Sequence, residues 1–189
     1  MSISPTEAEE ALEAIQIMVK KTRRAISNSG AYAFLIIWGV VWLIGFLGSQ
    51  FLPADIGGYF WIVMDVLGGV VSAIIGMRLG KNIRSSKTTI SGKQIGIFWL
   101  LVFLYCGAAL WVSGITEGKQ LAMLIILFVM LGWMAMGLLL SFYSVWTGLA
   151  LTVLALIGYF FLPNFFYLWM AILGGGGMIF MGLYIRYRW

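Results

Sequence analysis

The chain has 189 residues, 62% hydrophobic and 10% charged, with 12 Lys and Arg against 7 Asp and Glu; soluble domains carry roughly 25% charged residues, so this composition excludes an ordinary soluble fold. There is no histidine and one cysteine, Cys106, which excludes an intrachain disulfide and removes both the commonest ligand of zinc, copper and haem and the usual general base. The mean hydropathy is +1.00, and 66 residues from Gln120 to Ile185 pass without a charged side chain. An apolar helix needs about 20 residues to cross ~30 Å of hydrocarbon, so that run holds three crossings.

The first element is a helix over residues 5–26. Ser4-Pro5-Thr6-Glu7 has the form of a capping box with Pro at the first helical position. Glu7, Glu9, Glu10 and Glu13 precede Lys20, Lys21, Arg23 and Arg24, the order that the helix dipole favours. Its apolar stripe includes Leu12, Ile15, Met18 and Val19, which need a covering surface. The acidic half favours protein contact and the basic half lipid contact. Residues 1–28 are therefore expected to be a cytosolic amphipathic helix, and 29–189 a transmembrane domain.

Six apolar segments follow, at about 31–52, 57–79, 95–114, 121–141, 145–162 and 165–185. Pro53-Ala54-Asp55, the polar stretch from Gly80 to Gly92, Glu117-Gly118-Lys119, Ser141-Phe142-Tyr143-Ser144 and Pro163-Asn164 separate them. The expected fold is an all-α integral membrane protein, a compact bundle of six transmembrane helices arranged as hairpins. Six crossings place 11 of the 12 Lys and Arg on one side, with Lys119 alone opposite. The positive-inside bias then puts both termini in the cytoplasm. Topology accounts for the basic charge, so no nucleic-acid partner is implied. Short loops fit a prokaryotic plasma membrane.

The first and last hairpins look duplicated. Phe51-Leu52-Pro53 recurs as Phe161-Leu162-Pro163, and Tyr59-Phe60-Trp61 as Tyr167-Leu168-Trp169, each followed by a glycine cluster. Chance sharing of Gly, Trp and Phe among apolar helices is the competing explanation.

Within the second segment, Asp65 is the one acidic residue inside a span, roughly ten ångströms from its outer edge at 1.5 Å per residue. Intramembrane carboxylates mark functional sites or are held by polar neighbours. Asp65, Gly68, Gly69, Ser72, Gly76 and Gly80 recur at spacings of three and four, giving one small, polar face that should meet protein. Asp65 and Ser72 are the candidate ligand- or ion-binding pair. Gly174, Gly175, Gly176 and Gly177 resemble a phosphate loop only superficially, because they lie mid-segment with no Lys and with amides engaged in helical bonds. They are read as a close helix crossing, with the second segment as the natural partner.

Catalytic constellations are lacking. Beyond Asp65 and the first helix the only carboxylates are Asp55 and Glu117, so neither an enzyme nor a metal or other cofactor is expected. Association is the leading reading: a homo-oligomer, or an accessory subunit docked through Leu12, Ile15, Met18 and Val19. The alternative is a small transporter or ligand-binding membrane protein with a small-molecule cavity near Asp65.

Overall fold

The computed structural model describes residues 12–18, 30–82, 92–140 and 143–188. Residues 12–18 are helical and exposed on every side chain, Leu12, Ile15 and Met18 included. Val19 and the remainder of the expected helix over 5–26 lie outside the described residues. From residue 30 onward the elements are α1 (Ala31–Phe51), α2 (Ala54–Asn82), α3 (Gly92–Ser113), α4 (Gly118–Leu140), α5 (Tyr143–Phe161), α6 (Phe166–Met170) and α7 (Gly177–Arg188). A π-helical segment, Ala171–Gly176, joins α6 to α7, so these three form one continuous last span. Among the described residues there is no strand.

The punctuation is local chemistry. Gly30 opens α1 in the left-handed region at φ 71°, and Gly114 ends α3 at φ 62°; both positions strain any residue with a Cβ. Pro53 and Pro163 cannot continue the helices before them. At both turns the last helical bond is the same: Leu52 N–H donates to Gly48 O at 2.8 Å, and Leu162 N–H to Gly158 O at 3.1 Å.

Five helices are long and apolar enough to cross a membrane: 32–51, 56–78, 93–113, 118–138 and 166–188. A sixth apolar helix, over 145–161, is shorter. Expected and observed limits agree within a few residues except around Ser141-Phe142, which lie outside the described residues.

The compactness expected of the bundle holds for only part of it. The core joins α1, α4, α5 and the last span: Val41, Trp42, Phe46, Met123, Ile126, Met130, Ala155, Phe166, Met170 and Ala171 are buried together. Phe46 sits at its aromatic centre, edge-on to Trp42 (5.5 Å between ring centroids) and Trp61 (5.0 Å), and stacked with Tyr167 at 6.4 Å. Outside this core, α2 packs chiefly on α1, and α3 chiefly on α4. Protein buries 33% of the residues in the first and last spans but 6% in those of α2 and α3. Apart from the Asp65 face of α2, both helices are apolar around most of their circumference.

The last span runs antiparallel to α1. A Cβ on Gly175 would meet Leu43 Cα at 2.7 Å and Gly39 O at 2.8 Å, and one on Gly182 would meet Tyr32 O at 3.0 Å. One turn further on, Arg186 lies 5.9 Å from the Tyr32 ring. The glycine-rich helix was expected against the second segment; it lies instead along the first. Gly39 supplies the reason, since two glycines facing one another let two backbones approach.

Candidate functional site

The chemistry expected of this chain centred on α2. Pro53 starts that helix afresh after α1, and α2 returns alongside α1 with Trp61, Met64, Gly68, Ser72 and Ile75 turned inward and at least half covered. A Cβ on Gly68 would meet Val41 Cγ2 at 2.9 Å, so this glycine makes room for Val41 within the α1–α2 contact. Gly76 is looser, 3.9 Å from Phe34 by the same measure, and Gly69 has nothing within 4 Å. The Gly80 side-chain position is outside the described set.

Asp65 is not in that contact. It follows Met64 by one residue, or about 100° around the helix, and its side chain is exposed. Among the described residues no hydrogen bond or ion pair reaches it. Nine residues separate it from the start of the span at Ile56, a rise of about 13 Å. Ser72 is seven residues away, about 10 Å along the axis, and its buried hydroxyl has no hydrogen-bond partner. The two expected ligand residues therefore share a helix face without forming one site.

The glycine run divides in two. Gly174 and Gly175 are buried, the former with its Cβ position 3.0 Å from the Trp42 ring, while Gly176 is 3.9 Å from its nearest neighbour and Gly177 is open. The segment was expected to keep ordinary helical bonding; it widens instead into a π turn over Ala171–Gly176. Four glycines make that change inexpensive, because each weakens an α-helix by about 1 kcal/mol relative to Ala. π segments often mark functional sites. Here the turn faces α1 and a small apolar void of about 10 Å³ bounded by Trp42, Ile126, Met130, Leu151, Met170, Gly174 and Met178, barely room for one water.

Trp61 and Trp169 stood out in the sequence as parts of a repeat, but their partners Gly45, Ser49 and Gly158, and Gln50 nearby, did not. Trp61 lies across Gly45, where a Cβ would be 2.6 Å from the ring, and its indole N–H donates to Ser49 Oγ at 2.7 Å. The Ser49 hydroxyl in turn donates to Gly45 O at 3.1 Å. In the last hairpin Trp169 covers Gly158, its Nε1 2.8 Å from the glycine's Cβ position, and donates to Leu154 O at 2.9 Å. Extending the repeated Phe-Leu-Pro by three residues would have found Gly48 and Gly158, since both copies read Gly-x-x-Phe-Leu-Pro. At the same end of the bundle, Gln50 Nε2 donates to Asn164 O at 3.2 Å, tying the first turn to the last.

Among the described residues no group of three or more His, Cys, Asp or Glu converges. Cys106 is buried on α3 as a free thiol. On the outer side of α3, Gly107 and Ala108 form the floor of an open notch between Phe103, Leu104, Trp111 and Val112. Trp111 is 89% exposed. Comparison with protein-family models, with characterised proteins and with solved structures returns no match.

Proposed function

We propose that this chain is a non-enzymatic, six-span protein of the plasma membrane, with both termini in the cytoplasm, that works by association with further copies of itself or with another membrane protein. The observation that carries this reading is the contrast between a filled interior and two nearly unpartnered helices. A transporter needs a polar-lined space, whereas the small void beside Trp42 is apolar and Asp65 stands outside the core. The exposed faces of α2 and α3 instead offer Asp65, Gly69, the Gly107–Ala108 notch and Trp111 to whatever surrounds them. Interior-facing polar groups and small residues are what membrane helices use to bind one another.

The sixth crossing is supported by the length of α5. Its 19 residues rise about 28 Å, close to the ~30 Å of hydrocarbon. An even number of crossings also accommodates the antiparallel register of α1 and the last span, which sets Tyr32 beside Arg186. The matching Gly-x-x-Phe-Leu-Pro turns and tryptophan contacts support duplication of the outer hairpin. Through Leu12, Ile15, Met18 and Val19 the N-terminal helix supplies a second, cytosolic contact surface.

Two measurements test the reading. Native mass spectrometry from lipid nanodiscs should yield complexes of more than one chain or a stoichiometric partner; a bare monomer retaining only lipid would sink the association. Tags at the two termini should both label from the cytosolic side, and labelling from opposite faces would reduce the span count to an odd number.

A further inference from the structure

We infer that Asp65 and the open side of α2 form a pairing surface for a second copy of this chain; the inference rests on the association reading and names its partner. Asp65 lies well inside the span and has no hydrogen-bond or ion-pair partner among the described residues. Facing hydrocarbon, a carboxyl at that depth has nothing to bond to, and such groups almost always turn toward protein or water. At 100° per residue, Gly58, Asp65, Gly69 and Gly76 fall within about 40° of one another. A Cβ on Gly58 or Gly69 would meet nothing within 4 Å, and one on Gly76 only Phe34 at 3.9 Å. The stripe therefore runs nearly the length of the span, unobstructed, beside the α1 contact.

The complementary group decides the occupant. No Lys or Arg lies between Arg24 and Arg78, between Lys93 and Lys119 or between Lys119 and Arg186, so every basic residue of this chain stands at the end of a span or beyond it, away from the depth of Asp65. Two carboxyl groups sharing one proton satisfy each other, one donating and one accepting. A two-fold axis along the membrane normal brings each Asp65 opposite its own copy at the same depth. Glycines on both helices let the backbones come close enough for that bond.

Cross-linking in native membranes tests this. In a Cys106→Ala background, Gly69→Cys should oxidise to a species of twice the chain mass several-fold more readily than Val63→Cys, which is exposed on the other side of α2. Adding Asp65→Leu to Gly69→Cys should remove most of that product, while Asp65→Asn, which keeps a donor and an acceptor, should retain it. Equal yields from the two cysteines, indifference to Asp65→Leu, or an adduct of any mass other than twice the chain would each overturn self-pairing. A silent Gly69→Cys in a chain that is still multimeric in nanodiscs refutes this surface alone; silence together with a monomer refutes the association as well.

Discussion

The two halves of this molecule solve the same solvent problem in opposite ways. The first and last spans press backbone to backbone through Gly39 and Gly175 and enclose Phe166 and Ala171 almost completely. The second and third spans pack chiefly on one neighbour each and leave Val63, Val66, Leu104 and Trp111 uncovered. In the proposed membrane setting lipid is as apolar as these side chains, so burying them in protein gains little by itself; helices associate in a bilayer where close packing or a polar group rewards it. A glycine marks a contact of the fold only where another backbone or ring closes on it: Gly39 and Gly175 meet backbone atoms, whereas Gly58, Gly69 and Gly96 on the second and third spans meet nothing within 4 Å.

Phe166 is 1% exposed, whereas Phe103 on α3 is 47% exposed. Phe166→Ala leaves a cavity bounded by packed side chains and should destabilise the fold by about 3–5 kcal/mol. Phe103→Ala should change it by no more than about 0.5 kcal/mol. Unfolding by denaturing detergent, followed by tryptophan fluorescence, measures both; comparable losses would mean that α3 belongs to the core.

A smaller contrast lies in the glycines. At Gly175 the atoms that a methyl group would strike are backbone of α1, which cannot rotate aside, so Gly175→Ala should cost about 1–3 kcal/mol through overpacking. Gly96 on α3 has open space, and Gly96→Ala should be neutral or stabilising by up to about 1 kcal/mol, because the unfolded chain loses freedom and the helix loses nothing. The sign of each change, read from thermal midpoints in the same detergent, is the test.

How far the sequence could disclose this arrangement follows from what each signal encodes. Span positions were legible because charge, Pro and Gly punctuate them, and the lone carboxyl Asp65 stands out against an apolar background. Partnership between spans was not legible. A run such as Gly174 to Gly177 announces that some helix comes close, but the choice of α1 over α2 depends on Gly39, an isolated glycine with no local pattern. The π turn is equally hidden, since glycine permits the wider turn without requiring it. Spacing alone also could not say how much of the Asp65 face α1 would cover: Gly68 and Asp65 are three residues apart, yet 60° of rotation separates a residue sealed against Val41 from one left open.

The smallest expected effects sharpen the comparison between the two hairpins themselves. Trp61 donates to the Ser49 hydroxyl and Trp169 to the Leu154 carbonyl, each tying the second helix of its hairpin to the first. Ser49→Ala leaves the Trp61 indole N–H without its acceptor, a loss of about 0.5–1.5 kcal/mol. Once Trp61 is Phe the same Ser49→Ala change should cost less, because the bond it breaks is already gone. A double-mutant cycle on Trp61 and Ser49 should therefore return a coupling of about 0.5–1 kcal/mol. The last hairpin carries no such side-chain pair, because its acceptor is backbone: Trp169→Phe leaves Leu154 O with its helical bond alone. Its cost should match that of Trp61→Phe within about 0.5 kcal/mol if the two hairpins are copies of one design. A Trp169→Phe penalty several times larger would instead assign the last tryptophan to the packed interior, and the resemblance of the hairpins to chance.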